Sequence, residues 1–196
     1  MFYKILSILL FISFTCFAQV NVKPYSLTAE AGAGYSYFLT DLNYDELNQG
    51  GFSSSFRIMW HPEHLLSLGI ETGYWKLYSI EQNINLPEYG STTTEVSMVS
   101  VPVMGVFSMK VFPETLPNLE LKFSTGILLL TNTINAYGID QSSSLISIGF
   151  ASAASYLVPL NDIMALGGEL KYHYISKIQD ADLSLQLIFS YSFLNY

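Results

Sequence analysis

Residues 183–193 read Leu-Ser-Leu-Gln-Leu-Ile-Phe-Ser-Tyr-Ser-Phe, and the chain closes at Tyr196. Leu183, Leu185, Leu187, Phe189, Tyr191 and Phe193 share one parity. Ser184, Gln186, Ser190 and Ser192 share the other, which only Ile188 interrupts. Alternation with a period of two puts successive side chains on opposite faces of a strand, so this segment has one greasy face and one wet face. Strands of soluble sandwiches are usually shorter. A long, aromatic-rich alternating strand fits a transmembrane β-barrel, whose outer face meets lipid and whose inner face meets a polar lumen.

The same pattern recurs along the chain. Seven further alternating segments precede the closing one, at 27–38, 52–60, 66–78, 97–111, 119–130, 145–156 and 163–174. Strands of this length suit a tilted crossing of the hydrocarbon layer, which takes about 9–11 residues. The outward sets run Leu27, Ala29, Ala31, Ala33, Tyr35, Tyr37 on the first strand and Leu66, Leu68, Ile70, Thr72, Tyr74, Tyr78 on the third. The expected fold is therefore all-β, an eight-stranded antiparallel up-and-down transmembrane barrel.

Connections alternate in length. Residues 39–51, 79–96, 131–144 and 175–182 are long or polar, whereas 61–65, 112–118 and 157–162 are short and carry Pro62, Pro113, Pro117 and Pro159. Proline removes a backbone donor and ends a strand cleanly. Long outer loops, short periplasmic turns and both termini in the periplasm make up the outer-membrane pattern. Aromatics gather at strand ends: Tyr35, Tyr37, Phe52, Tyr74, Tyr78, Tyr172 and Tyr174 at the long-loop side, and Trp60, Phe107, Tyr156, Tyr191, Phe193 and Tyr196 at the other. Tyrosine and tryptophan favour the membrane interface because one end is apolar and the other forms hydrogen bonds.

The N-terminus carries a matching address. Lys4 is followed by an apolar stretch to Phe14, too short to span a bilayer as a helix, and Cys16-Phe17-Ala18 places small residues at a cleavage site. Residues 1–18 read as a cleaved secretory signal and 19–196 as the barrel domain. Cleavage would remove the single cysteine, leaving no disulfide framework or thiol chemistry. It would also remove one of eight Lys and Arg, changing the net charge from −8 to −9. So acidic a chain is a poor match for nucleic acid.

Inward positions follow by parity. They include Glu30, Gly32, Gly34, Arg57, Glu71, Gly73, Lys110, Glu120, Lys122, Gly126, Glu169, Lys171 and His173. Nearly every mid-strand charge faces inward, as it should when a cation facing lipid at the midplane costs about 2–4 kcal/mol. Lys76 faces out, but near the end of its strand, where it can snorkel. An eight-stranded barrel is just wide enough to be filled by side chains. The expected filling is a lumenal charge network of Glu30, Arg57, Glu71, Lys110, Glu120, Lys122, Glu169 and Lys171, with Trp75, Leu77, Leu128 and Leu130 as plugs. Glu30, Arg57 and Glu71 should meet, because they sit at similar depth on adjacent strands.

The chain resembles the small outer-membrane β-barrel proteins of Gram-negative bacteria, the porin-family or outer-membrane β-barrel domain proteins. Val99-Ser100-Val101-Pro102-Val103 is similar to their hydrophobic-x-Ile-Pro-hydrophobic strand, with Ser100 where an acid is frequent. The terminal Phe189-Ser190-Tyr191-Ser192-Phe193 is similar to their closing β-signal. The resemblance implies an integral outer-membrane, cell-surface protein in contact with outer-membrane lipid and lipopolysaccharide. It also implies recognition of residues 183–193 by the barrel-assembly machinery. It implies architecture far more than function.

The chemistry on offer is sparse. His61 and His64 flank Pro62-Glu63 in the first short turn; a solvated turn is the plainer reading, since two histidines are too few ligands for a metal. His173 precedes Ser176, and lipid A deacylases are eight-stranded barrels that pair His with Ser in that region. Their pattern is His-x-Ser-Asn, whereas this chain reads His173-Tyr174-Ile175-Ser176-Lys177, which flips the serine's parity and lacks the asparagine. Ala31-Gly32-Ala33-Gly34 is followed by no helix that could hold a phosphate. The acids Asp41, Asp45, Glu46, Glu81, Glu88, Asp140, Asp180 and Asp182 read as a solvated rim, since none has calcium-loop spacing. The leading expectation is a non-enzymatic structural or surface-interaction barrel without cofactor or metal. A His173/Ser176 lipid A deacylase-like hydrolase, or a narrow porin for water and small ions, is the alternative.

Overall fold

The structure is a computed structural model describing residues 25–40, 46–86, 90–136 and 139–194, with side chains left undescribed at 84–86 and 90–92. The signal-peptide reading of 1–18 lies outside these residues, as do Asp41, Asp45, Glu88 and Tyr196. Among the described residues there are nine strands: β1 Ser26–Leu39, β2 Leu47–Asn48, β3 Gly50–His61, β4 Leu66–Leu86, β5 Gly90–Lys110, β6 Leu119–Ala136, β7 Ile139–Pro159, β8 Met164–Ile175 and β9 Asp180–Leu194. Sequential neighbours pair antiparallel, and β1 pairs with β9, so eight strands close into a ring in the order β4-β3-β1-β9-β8-β7-β6-β5. The two-residue β2 adds only a fringe on β4.

Alternation governs the wall. In β9, Leu183, Leu185, Leu187, Phe189, Tyr191 and Phe193 are exposed while Asp182, Ser184, Gln186 and Ile188 are buried. The same inversion of soluble-protein logic holds around the ring, where Ile70, Val103, Ile127, Ile148 and Leu170 lie on the outside. An apolar exterior with all ladder bonds internal is what a hydrocarbon environment demands.

Three features depart from the expected outline. First, the segments 79–96 and 131–144 are not loops. β4 and β5 stay paired up to Leu86↔Gly90, and β6 and β7 up to Ala136↔Ile139. β7 pairs with β8 only from Gly149 onward, so a four-stranded sheet, β4-β5-β6-β7, stands above one side of the ring. Outside lipid, the strands lose their apolar alternation and turn to Thr93, Thr94, Asn132, Thr133, Ser142 and Ser143.

Second, the register slips between Lys76 and Tyr78. The extra residue at this bulge is Leu77, and it reverses the parity beyond it. Tyr78, expected to face lipid, turns in against Phe38, with ring centroids 5.7 Å apart. Third, the last outer connection is a short turn at 176–179 rather than a loop reaching Asp182. Gln179 takes a left-handed φ of 59° and donates its N–H to the Ile175 carbonyl. Asp182 is a residue of β9, fully buried, and not part of a solvated rim.

Ring closure leaves no frayed edge within the wall. The folded chain should therefore survive SDS at room temperature and shift its gel mobility only on heating. Identical migration of boiled and unboiled samples would contradict the closed ring.

Candidate functional site: a lumenal ion circuit

Inward parity aims one charged side chain from each of several strands at the same level of the lumen. Arg57 of β3 lies between its ladder partners, Glu30 on β1 and Glu71 on β4. Its Nε donates to Glu71 Oε2 at 2.5 Å, and its Nη1 to Glu30 Oε2 at 3.1 Å. From across the lumen, Glu169 of β8 takes both ends of the guanidinium: Nη1 donates to Oε2 at 2.8 Å and Nη2 bonds Oε1. A planar fork makes this two-point grip possible, and a lysine could not reproduce it.

Two lysines complete the circuit. Lys122 Nζ of β6 donates to Glu30 Oε2 at 2.6 Å and lies 3.4 Å from Glu169 Oε2. Lys171 Nζ of β8 donates to Glu71 Oε1. Three cations thus meet three carboxylates, all six at most 3% exposed. Buried charge is tolerable only when paired and hydrogen-bonded, and this set is neutral as a whole. Lys110 and Glu120 lie nearer the short turns as cross-strand partners, and Ser108 Oγ donates to Glu120 Oε2 at 3.2 Å.

Other layers fill the lumen on either side. Toward the short turns, the His61 ring is flanked by Thr28 Oγ1 at 2.8 Å and Ser67 Oγ at 2.6 Å. His61 is therefore no solvated turn residue; it closes β3 with its ring in the lumen, 5% exposed, while His64 is exposed. Pro62 directly after it had the look of a turn, which hid the inward parity. Beside the circuit, Gln186 bridges Ser55 and Ser53. Toward the long hairpins, Phe38, Trp75, Leu77, Met104, Leu128, Leu130 and Ile175 form a buried apolar plug.

His173 sits at the junction of circuit and plug. Its ring centroid is 3.6 Å from that of Trp75, and its Nδ1 is 3.5 Å from Asp182 Oδ2. Neither ring nitrogen has a hydrogen-bond partner among the described residues. Ser176 lies in the turn beyond β8, where its N–H donates to the Ile148 carbonyl. The structure does not bring His173 and Ser176 into a nucleophile–base hydrogen bond. The Ala31–Gly34 stretch is mid-strand in β1. Among the described residues, no group of three or more His, Cys, Asp or Glu is placed to hold a metal.

An eight-stranded antiparallel ring with an apolar exterior is the fold of the small Gram-negative outer-membrane β-barrels. The structure is similar to that of Neisserial surface protein A, NspA, with a TM-score of 0.57 at 13% identity, covering 85% of this chain and 97% of that one. It is also similar to Ail, the attachment invasion locus protein of Yersinia pestis, with a TM-score of 0.54 at 10% identity, covering 87% of this chain and 99% of that one. No family model and no curated protein sequence matches the chain.

Proposed function

We propose that this protein is a non-enzymatic outer-membrane barrel that acts at the cell surface through its protruding sheet, with a sealed lumen and both termini in the periplasm. The protruding β4-β5-β6-β7 sheet carries this reading. A sheet raised beyond the lipid-facing wall has no role in spanning the bilayer. Its outer face carries a lateral row of exposed ladder partners, Glu81, Glu95, Asn135 and Asp140. An Ail structure of TM-score 0.53 and 9% identity, covering 86% of this chain and 99% of that one, is in complex with a heparin analogue, sucrose octasulfate. The acid row here would repel so anionic a ligand, so a neutral or basic surface partner fits this chain better. The wall meets outer-membrane lipid and lipopolysaccharide, and β9 offers its C-terminal alternating strand to the barrel-assembly machinery.

Lipid A hydrolysis is the weaker reading, because His173 is walled in beneath the plug and has no hydroxyl partner among the described residues. The test is topological and chemical together. A Gln141→Cys variant should react with an impermeant maleimide on intact cells, and His173→Ala should leave lipid A acylation unchanged. Labelling only after permeabilisation would overturn the orientation, and altered acylation would restore the hydrolase.

A further inference from the structure

The convex outer wall carries a groove of about 760 Å³ crossing β4 to β8. Its lining alternates with the lumenal circuit rather than sharing it. Phe107 and Phe123 form one bank, Phe150 and Tyr172 the other, and Gly105 and Ser152 the floor, all exposed on the lipid side. Gly105 is the informative residue. A glycine inside a strand weakens it and needs a reason, such as a tight backbone approach, a bulge or a closely approaching ligand. Here a Cβ would meet nothing nearer than the Thr125 carbonyl oxygen at 3.9 Å, and the ladder is regular on either side. Neither packing nor register demands a glycine at this point. What it preserves is open space between two aromatic banks.

No charged side chain lines the groove, and it is continuous with the apolar wall that faces the bilayer. A headgroup or a peptide would find almost no polar partner there; an alkyl chain would find aromatic faces on both sides. The groove begins low on the wall, with Phe107 three residues from the end of β5 and Phe123 four residues into β6, and rises obliquely to Tyr172. Its low end lies beside the short turns, and its other end, at Tyr172 and Tyr174, beside the outer turn that follows β8. We propose that this groove is a binding site for one acyl chain of a bilayer phospholipid.

The test is native mass spectrometry of the folded protein in detergent, supplied in separate arms with dioleoylphosphatidylethanolamine and with purified lipopolysaccharide. The wild type should keep a single phospholipid at an activation energy that strips detergent. Gly105→Leu, whose Cβ would meet nothing nearer than 3.9 Å, and Ser152→Phe should each fill the floor. Losing van der Waals contact along the acyl chain should weaken retention severalfold. Heat-dependent gel mobility establishes that each variant is folded. Undiminished retention in both folded variants overturns the site. Retention of lipopolysaccharide in place of phospholipid overturns the assigned source. Efficient dimer crosslinking through Ser152→Cys in phospholipid vesicles would show a second copy in the groove and overturn the lipid. The Gln141→Cys labelling reads orientation separately, so a failure of the groove and a failure of the topology are distinguishable.

Discussion

Arg57→Ala should be the most damaging single truncation in the lumen. Glu71 would keep Lys171 and Glu30 would keep Lys122, but Glu169 would lose its two-point partner and keep only Lys122 at 3.4 Å. The buried set would carry one uncompensated negative charge. Breaking a buried pair by removing one partner costs about 3–5 kcal/mol. The exposed Lys177 provides the control, because surface substitutions of this kind stay within about 0.5 kcal/mol. Urea unfolding in detergent, or the temperature of the gel shift, should drop far more for Arg57→Ala than for Lys177→Ala. Arg57→Lys should recover part of the loss, since the charge returns without the fork. Equal, small effects from Arg57→Ala and Lys177→Ala would mean that the lumenal charges are separately hydrated and that no circuit exists.

The second large effect is expected at the seam where the ring closes. Gly34 of β1 pairs with Gln186 of β9, and a Cβ added there would lie 1.9 Å from the Leu185 carbonyl oxygen and 2.6 Å from Gln186 Cα. Both contacts are backbone, so neither can swing aside as a side-chain tip would. Overpacking a fitted site costs about 1–3 kcal/mol even when side chains can adjust, and here a strand would have to move. Gly34→Val should therefore abolish the heat-modifiable folded band, whereas Gly105→Ala should leave it unchanged. A folded, heat-stable Gly34→Val protein would place the β1–β9 contact wrongly.

The two substitutions also mark what a sequence can and cannot disclose here. Parity was legible because lipid and lumen impose opposite chemistry on alternate residues, so the inward set that includes Arg57, Glu71, Lys122 and Glu169 follows from the sequence alone. Neighbouring strands were legible too, which is why Glu30, Arg57 and Glu71 could be grouped. Glu169 reaches the Arg57 guanidinium and Lys122 reaches Glu30 from across the lumen, and that proximity exists only once the ring has closed. Tyr78 misled because Leu77 and Tyr78 are both apolar, so a bulge leaves no break in the pattern. The raised sheet was hidden for the opposite reason: beyond the bilayer, Thr93, Asn132 and Ser142 have no lipid to alternate against and look like loop residues. Asp182 passed for a rim acid because it follows Asp180 at a turn, while its burial depends on β1 and β8 on either side.

Closure of the lumen by the ion circuit and the apolar plug is tested most directly by conductance across a planar bilayer. Purified, folded protein should insert without producing discrete current steps, because the charges within the ring are paired with one another and Trp75, Leu128 and Leu130 close the level above them. Reproducible single-channel steps from the wild-type protein would contradict a sealed barrel and make it a narrow porin.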